Sequence, residues 1–303
     1  MKNTLILGGS GLVGSAFSTG IKLGKSQVDL RNPKEVDELF RFYNPDSIIH
    51  AAAKVGGIGA NINSNGEFFH DNVLINLNVI EFCKKHNIEN LVCFSSTCIF
   101  PDKVEYPLTP DKIHLGEPHS SNYGYAYSKR MMHVQLQTYR EQYGLEYVSV
   151  IPCNIYGPND NFSLEYGHVI PSLIHKCYLA KNNNTDLKIW GSGEPLREFI
   201  YSKDVAFITE LILENYKGST PVILSPSQEI SIKDIIKLIV EIMEFEGKVV
   251  FDLTKSDGQY RKPSSNELLK ELLPDFKFTP IEVGLKETIG WFIKNYDFNN
   301  IRK

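Results

Sequence analysis

The chain has 303 residues, 42% of them hydrophobic, so it is long enough to bury a full core as one large domain or two interlocked ones. Its 32 Lys and Arg against 36 Asp and Glu give a formal net charge of -4, and no basic run is long enough to follow a phosphate backbone. Nucleic acid is therefore not an expected partner.

The cysteines and the apolar runs indicate where the protein works. The five cysteines are odd in number and show no CxxC spacing, which favours a reducing compartment and argues against a structural metal site. No segment reaches the roughly 18 apolar residues of a membrane span, and the apolar run near the start is too short for a secretory signal. These patterns predict a cytoplasmic protein that has no metal and no membrane partner.

The chain begins with a predicted strand, a glycine turn and a helix. Leu5-Ile6-Leu7 is typical of a short buried strand, and a helix is expected from about Leu12. Asn32-Pro33, with Glu35 at capping-box spacing, predicts the start of a second helix. Ser47 to His50 then predicts a buried strand that ends in small residues. Further predicted elements are helix 69–86, strand 90–94, helix 125–143 and strand 146–151.

Strands that alternate with helices indicate an α/β fold built on a parallel, doubly wound sheet. Beyond residue 158 the alternation loosens, which predicts a smaller C-terminal α/β lobe. We expect residues 1–164 to form the first domain, with 198–226 returning to it. Residues 165–197 and 227–303 are expected to form the second lobe.

Gly8, Gly11 and Gly14 are spaced three apart between the first strand and the first helix. Without a Cβ, such a turn lets backbone N–H groups approach a pyrophosphate, as in the Rossmann fold. The alternative is a plain glycine turn, which the strand-turn-helix context makes the weaker interpretation. The pattern therefore predicts a dinucleotide cofactor.

The choice of nicotinamide cofactor depends on the residues between the glycine turn and the second helix. A site that prefers NAD places an acid at the tip of the second strand, and Asp29 lies at about the required distance. It closely precedes Asn32-Pro33, however, and the space after Gly14 is too short for a full helix and strand. Lys25 and Ser26 are placed to hold a 2′-phosphate, which favours NADP(H).

Tyr125 and Lys129 are four residues apart, and so lie on one face of a predicted helix. A nearby ammonium lowers the pKa of a phenol, which lets the phenol exchange a proton with a carbonyl oxygen. Taken alone, the pair is often a solvated helix face. Ser95-Ser96 at the end of a buried strand adds hydroxyls for the same oxygen, and the combination predicts a carbonyl reductase or a related enzyme.

The chain resembles the GDP-L-fucose synthases, a family of extended short-chain dehydrogenases. The resemblance covers nearly the whole chain and is most specific at Ala51-Ala52-Ala53-Lys54-Val55-Gly56-Gly57-Ile58. The other matching segments are 95–101, 156–162, 168–171, 190–193, 197–199 and 257–262.

The resemblance implies NADPH-dependent 3,5-epimerisation and 4-reduction of GDP-4-keto-6-deoxy-D-mannose to GDP-L-fucose. It implies that Ser96, Tyr125 and Lys129 form the reductase triad, and that Cys98 and His168 are the base and acid that invert C3 and C5. Which of the two acts at each carbon is left open. Without the flanking match, Cys98 would be taken as a small buried residue and His168 as an ordinary polar contact.

The resemblance also implies two sets of binding residues. Those expected to contact NADP(H) are Gly8, Ser10, Gly11, Leu12, Val13, Gly14, Lys25, Asp29, Leu30, Ala51, Ala52, Ala53, Tyr125, Lys129, Pro152, Asn154 and Ile155. Those expected to contact the nucleotide sugar are Asn154, His168, Lys176, Trp190, Arg197 and Lys262. Arg197 is also explained as a salt-bridge partner, and Trp190 as a packing residue.

Several positions depart from the family, which keeps other activities open. The region from Ser15 to Ser26 is shorter than usual, Lys176 stands where Arg is common, and Ser256 and Ser264 differ near the substrate. A related GDP-4-keto-6-deoxy sugar such as a heptose, or an NAD-retaining nucleotide-sugar 4-epimerase, is therefore an alternative. A catalytically silent NADP-binding regulator is a third, against which the Ser96, Tyr125 and Lys129 set argues.

The apolar stripes on helices 69–86 and 125–143 exceed what one sheet face needs. They predict a homodimer held by these helices, which the resemblance also implies. Core packing alone is the alternative explanation.

Overall fold

A computed structural model describes residues 3–255 and 257–296 of the chain. Its strands are β1 Thr4–Leu7, β2 Ile21–Leu23, β3 Ser47–His50, β4 Asn90–Phe94, β5 Glu146–Pro152, β6 Asn154–Tyr156, β7 Leu187–Trp190, β8 Leu196–Tyr201, β9 Val222–Leu224, β10 Glu229–Ser231 and β11 Val249–Asp252. Its helices are α1 Leu12–Ala16, α2 Pro33–Tyr43, α3 Ile58–Asn63, α4 Asn65–Lys85, α5 Tyr123–Tyr143, α6 Val169–Asn182, α7 Ser202–Asn215, α8 Ile232–Ile242, α9 Glu267–Leu272 and α10 Ile281–Tyr296.

Six strands form one parallel sheet in the order β2-β1-β3-β4-β5-β9. Apart from the edge strand β2, the strands are apolar and buried along almost their whole length, as expected for a parallel sheet covered on both faces. Side chains of α2, α4 and α5 pack on one face, and those of α1, α7 and α9 pack on the other. The predicted doubly wound fold is confirmed.

The segment between Gly14 and Asp29 corrects one expectation. It holds the end of α1 and the whole of β2, because α1 has only 5 residues and begins at Leu12, and β2 has only 3. Ile21, Lys22 and Leu23 of β2 pair with β1. The strand fits because Leu23 alone of its three residues is buried, and a short edge strand needs no longer apolar run.

The start of α2 follows the capping chemistry that the sequence predicts. The Asn32 side chain accepts a hydrogen bond from the Lys34 N–H, and its amide donates to Glu35 at 2.9 Å. The other carboxylate oxygen of Glu35 accepts from the Asp29 N–H at 2.8 Å. Asp29 is therefore part of the entry into α2, as its distance from Pro33 predicts.

The remaining strands form two small sheets, one of β10, β8 and β6 and one of β11 and β7. With α6, α8 and α10 they enclose a second apolar cluster. Tyr156 and Phe162 pack in this cluster, whereas Leu269 of α9 packs against the six-stranded sheet. The expected division at residues 164, 197 and 226 stays a prediction.

We predict opposite effects for two glycine-to-alanine changes. A Cβ on Gly14 would lie 2.2 Å from the Gly8 carbonyl oxygen, so Gly14→Ala should lower the free energy of unfolding by roughly 1–3 kcal/mol through overpacking. Gly290 lies in α10 with nothing within 4 Å of the added atom, so Gly290→Ala should raise it by about 0.5–1 kcal/mol. Denaturant unfolding measures both, and equal stability of the two variants contradicts the close approach at Gly14.

Candidate active site

The carboxyl ends of β1, β3, β4 and β5 lie at one edge of the sheet, because these strands are parallel neighbours. The predicted glycine turn, the three alanines, and the Ser95 to Cys98 segment follow β1, β3 and β4 directly. The chain turns to opposite sides after β1 and β3, and ligands of doubly wound sheets bind at such a switch point.

The glycine turn is packed too closely for side chains on its inner face. Gly8 has a φ of +89°, and a Cβ there would lie 2.7 Å from the Ala52 nitrogen. Gly8 and Gly9 both donate their N–H to the Leu23 carbonyl. On the outer face, a Cβ on Gly11 would meet only the Gly8 carbonyl, at 3.3 Å. The turn therefore presents open backbone on which a pyrophosphate fits.

The tip of β2 carries a glycine and a lysine in place of an acid. Gly24 follows β2 beside Ser10, whose Oγ would lie 2.8 Å from a Cβ on that glycine. Lys25 is exposed next to it. Asp29 is engaged elsewhere, since its carboxylate pairs with Arg31 at 2.7 Å, which lowers the Asp29 pKa to about 2. These residues fit a 2′-phosphate better than they fit a free ribose diol.

Lys129 is buried and joins α5 to the sheet. Its Nζ donates to the Phe94 carbonyl at the end of β4 at 2.7 Å and lies 6.0 Å from the centre of the Tyr125 ring. Burial lowers the Lys129 pKa to about 8. Burial, with the neighbouring Cys98 thiol, raises the pKa of Tyr125. The two predicted catalytic side chains thus share one poorly solvated place above the strand end.

Ser96 and Cys98 lie in a tight turn that follows β4. The Ser96 Oγ accepts from the Cys98 N–H at 3.3 Å and so caps the 3₁₀ turn Thr97–Ile99. Cys98 is partly exposed, whereas the other four cysteines are buried. The thiol at the strand end is therefore the accessible one.

Lys262 lies near the Cys98 turn, and Arg197 lies close to Lys262. Burial lowers the pKa of Lys262, with the Cys98 thiol raising it and Arg197 lowering it. Burial also lowers the pKa of Arg197, whose Nη1 donates to the Leu196 carbonyl at 2.7 Å. Partly desolvated cations this close together suit a diphosphate, whose charge offsets their mutual repulsion.

His168 stands at the N-cap of α6. Its side chain is 48% exposed, and its Nδ1 lies 3.7 Å from a carboxylate oxygen of the buried Asp160. The segment before it contacts the loop that follows β3, residues 51–58, where the Gly57 N–H donates a hydrogen bond to the Tyr166 carbonyl at 2.8 Å. An exposed imidazole with a buried carboxylate behind it is suited to proton transfer.

Comparison with known proteins identifies the family. Residues 4–224 match the model of the NAD dependent epimerase/dehydratase family. A GDP-L-fucose synthase from Dictyostelium discoideum is 48% identical, covering 98% of this chain and 97% of that protein. A probable GDP-L-fucose synthase from Drosophila melanogaster is 41% identical, covering 98% and 99%. The chain belongs to the GDP-L-fucose synthase family.

A solved relative agrees with this assignment. The crystal structure of a GDP-L-fucose synthetase from Naegleria fowleri bound to NADP superposes with a TM-score of 0.94 at 41% sequence identity. The match covers 100% of this chain and 95% of that one. The fold and the family are therefore shown by independent comparisons.

Of the other binding residues predicted for this member of the GDP-L-fucose synthase family, some are exposed and others are buried in the core. The Lys176 Nζ lies 4.5 Å from the centre of the Trp190 ring, and Trp190 is 60% exposed. Asn154 is exposed beyond β5, with its amide donating to the Glu198 carbonyl at 2.8 Å. Leu30 differs, since its side chain packs in the core and its carbonyl accepts from Asn78.

The smaller predicted contacts lie near the same edge. Leu12, Val13, Ala51, Ala53 and Ile155 are half-buried around it, while Pro152 is buried in β5 and pairs with Leu224. Of the departures from the family, Ser264 is buried and donates to the Glu198 carboxylate, so it belongs to the interior. Ser256 lies outside the described residues.

Sequence reasoning missed a group of buried polar side chains beneath Tyr125 and Lys129, the predicted catalytic pair. His50 Nε2 and Asn76 Oδ1 are 3.0 Å apart, and the Asn76 amide reaches the Ser128 carbonyl at 3.5 Å. Burial and the Lys129 charge lower the His50 pKa to about 3, so the ring is neutral. These contacts connect β3, α4 and α5 beneath Lys129, and no sequence motif predicted them.

Sequence reasoning also missed a network of surface ion pairs that includes Lys54 of the 51–58 loop. Lys54 pairs with Glu67 at 2.7 Å and with Asp71 at 3.0 Å, and Arg31 approaches Asp71 at 3.4 Å. Lys54 belongs to the 51–58 segment that the sequence singled out, but its partners Glu67 and Asp71 lie on α4. Within residues 3–255 and 257–296, no group of His, Cys, Asp and Glu side chains is arranged to hold a metal, and no helix is long and apolar enough to cross a membrane.

We predict a pH-dependent stability term from Lys129. Its pKa falls from an ordinary 10.5 to about 8 in the folded chain, so the unfolded chain binds more protons between these pH values. The stability of the wild type relative to Lys129→Met should therefore rise with pH across this window, by on the order of 3 kcal/mol.

Urea unfolding at several pH values measures this difference. Lys188→Met, which removes an exposed ammonium from β7, controls for the loss of one positive charge. If the Lys129→Met difference is flat between pH 8 and 10.5, the ammonium is not held in a poorly solvated place.

Proposed function

We propose that the protein converts GDP-4-keto-6-deoxy-D-mannose to GDP-L-fucose with NADPH as reductant, by epimerising C3 and C5 and reducing the C4 ketone. The observation that carries the proposal is the meeting of Tyr125, Lys129 and Cys98 at one sheet edge. It occurs in a chain that is 48% identical to a GDP-L-fucose synthase.

Reduction uses the group above the end of β4. The nicotinamide of NADPH supplies a hydride to C4 when it is bound. Tyr125 gives its phenolic proton to the C4 oxygen, and the Lys129 ammonium stabilises the phenolate that remains. The Ser96 hydroxyl donates to the same oxygen. The Phe94 carbonyl keeps Lys129 in place during the transfer.

Epimerisation uses the same ketone. The protons at C3 and C5 are acidic because removing either one gives an enolate whose oxygen is the C4 oxygen. Cys98 and His168 serve as the base and the acid, and Lys262 lies close enough to Cys98 to interact with it electrostatically. The donors that later assist reduction also stabilise the enolate, so one oxygen site serves both steps.

The cofactor contacts follow from the fit of the turn and of the β2 tip. The open outer face of the turn at Gly11 receives the pyrophosphate, while Lys25 and Ser10 hold the 2′-phosphate. Asp29 and Leu30 are turned to other partners, so any contact they make to the adenosine is secondary. The Naegleria fowleri structure bound to NADP supports this choice of cofactor.

The nucleotide sugar lies between the sheet edge and the second lobe. Arg197 and Lys262 bind its diphosphate, with Lys176 close by, and the exposed Trp190 ring offers a stacking surface for the base. Asn154 is at the sheet side of this space. Residues 1–164 with 198–226 thus carry the cofactor and the remainder carries the substrate.

The protein is further proposed to be a cytoplasmic homodimer. Leu77 on α4 and Met131 and Val134 on α5 are exposed apolar side chains on two helices that pack side by side. Such a surface is typical of a subunit interface. Four buried, unpaired cysteines support a reducing compartment.

The function is tested by supplying GDP-4-keto-6-deoxymannose with NADPH or NADH. NADPH should be consumed and GDP-L-fucose formed, and Tyr125→Phe should lower the turnover by about 100-fold or more, since it removes the proton donor. A parallel assay with a GDP-4-keto-heptose tests the related substrate. Unchanged absorbance at saturating substrate would refute the proposal and restore the silent regulator. Turnover by Tyr125→Phe equal to an active wild type would contradict the role of Tyr125 as the proton donor.

Cys98→Ser tests the epimerisation step. We expect loss of deuterium exchange from solvent into C3 and C5, with NADPH binding retained, because the cysteine lies off the glycine turn. Mass spectrometry of the sugar measures the exchange. Cys153→Ser, at a buried cysteine, is the matched control. A 4-epimerase that retains NAD needs no such exchange, so exchange in the wild type also excludes that alternative.

A further inference from the structure

Arg130, the residue after Lys129 on α5, is buried with only 6% of its surface exposed. Its Nε donates to the Ile99 carbonyl at 2.6 Å, and its Nη1 donates to the Gly116 carbonyl at 2.8 Å. The guanidinium also lies 5.3 Å from the centre of the Tyr127 ring. Burying a charged group is costly, so a side chain held in this way marks a place where two backbone segments must be joined.

The first of these carbonyls belongs to the turn that carries Cys98. Ile99 is the last residue of the 3₁₀ turn Thr97–Ile99, and Cys98 is the residue before it. Within the turn, the Ile99 N–H bonds to the Ser96 carbonyl and the Cys98 N–H bonds to the Ser96 hydroxyl. These bonds are local to the turn, whereas the bond from Arg130 connects it to α5.

The second carbonyl belongs to a segment that reaches the substrate cations. Residues 101–118 begin and end in a bridge between Pro101 and Pro118. Within the segment, Leu108 donates to the Pro263 carbonyl and accepts from the Ser265 N–H, next to Lys262. Arg130 therefore holds both the Cys98 turn and the chain that adjoins Lys262.

We propose that Arg130 is a positioning residue for epimerisation, which fixes Cys98 relative to Tyr125 and Lys129. This inference rests on the proposed function of Cys98 in that step. One helix then sets both halves of the reaction, because Tyr125 and Lys129 assist at the C4 oxygen while Arg130 places the group that exchanges the neighbouring protons. The planar guanidinium is suited to this role, since its donors point to two carbonyls at once.

The test compares Arg130→Met and Arg130→Lys with the wild type. Deuterium exchange at C3 and C5 of GDP-4-keto-6-deoxymannose is measured without NADPH, so that reduction does not contribute. Displacement of Cys98 by about 1 Å is expected to slow the exchange by about 100-fold in Arg130→Met. Arg130→Lys, which retains one donor, should give an intermediate loss. NADPH binding, followed by its fluorescence, should be unchanged in both.

Arg140→Met is the matched control on the same helix. Arg140 also donates to a backbone carbonyl, that of Lys217, but this contact lies at the far end of α5. We expect exchange at the wild-type rate in this variant. A comparable loss in Arg140→Met would overturn the proposal, because it would show that any bond from α5 has the same effect.

Alkylation of the cysteines by iodoacetamide separates local release of the turn from general loosening. Cys98 is the partly exposed cysteine and the other four are buried. Peptide mass spectrometry should show faster modification of Cys98 alone in the two Arg130 variants, together with slower exchange. Modification of the buried cysteines in both variants would overturn the proposal, since Arg130 would then support the fold as a whole.

Exchange at the wild-type rate in both Arg130 variants would likewise overturn it. Failure of the proposed function has a different signature, because the wild type itself would then show no exchange at C3 or C5.

Discussion

The hydrogen bond from the buried Lys129 ammonium to the Phe94 carbonyl is the contact on which the arrangement of the site depends. It holds α5 against the end of β4, which places Tyr125 beside the turn that carries Ser96 and Cys98. The ammonium is poorly solvated, and burial moves its pKa toward neutrality. The same ammonium therefore holds the helix in place and lies 6.0 Å from the centre of the Tyr125 ring.

The surroundings of this contact are arranged to tolerate a buried charge. Beneath it, His50 is kept neutral by burial and by the Lys129 charge, and it bonds to Asn76. Beside it, the Arg130 guanidinium bonds to two carbonyls. A neutral His50 adds no second charge beside Lys129, and the two carbonyls offset part of the cost of burying the Arg130 guanidinium.

The two edges of the candidate site are built by different means. At the glycine turn, backbone atoms of Gly8 and Ala52 come so close that only residues without side chains fit. At the other edge, long side chains such as Arg197 and Lys262 extend from segments that come late in the chain. The first edge is therefore rigid and local in sequence, while the second is assembled from distant parts of the chain.

Features that depend on neighbouring residues could be predicted from the amino-acid sequence. Alternating strands and helices predicted the doubly wound sheet, and Asn32-Pro33 with Glu35 predicted the start of α2. The spacing of Tyr125 and Lys129 placed both on one helix face. Periodicity, capping and spacing report on contacts within one element. Such contacts could be predicted because they join residues that are close in the sequence.

The contacts that join different elements could not be predicted and became visible in the three-dimensional structure. Arg130 and Ile99 are 31 residues apart, and His50 and Asn76 are 26 apart. Nor did the sequence reveal β2, because a three-residue edge strand with one buried side chain leaves almost no pattern. Such contacts depend on how β3, β4, α4 and α5 pack, and a pattern that repeats within one element carries no information about its neighbour's position.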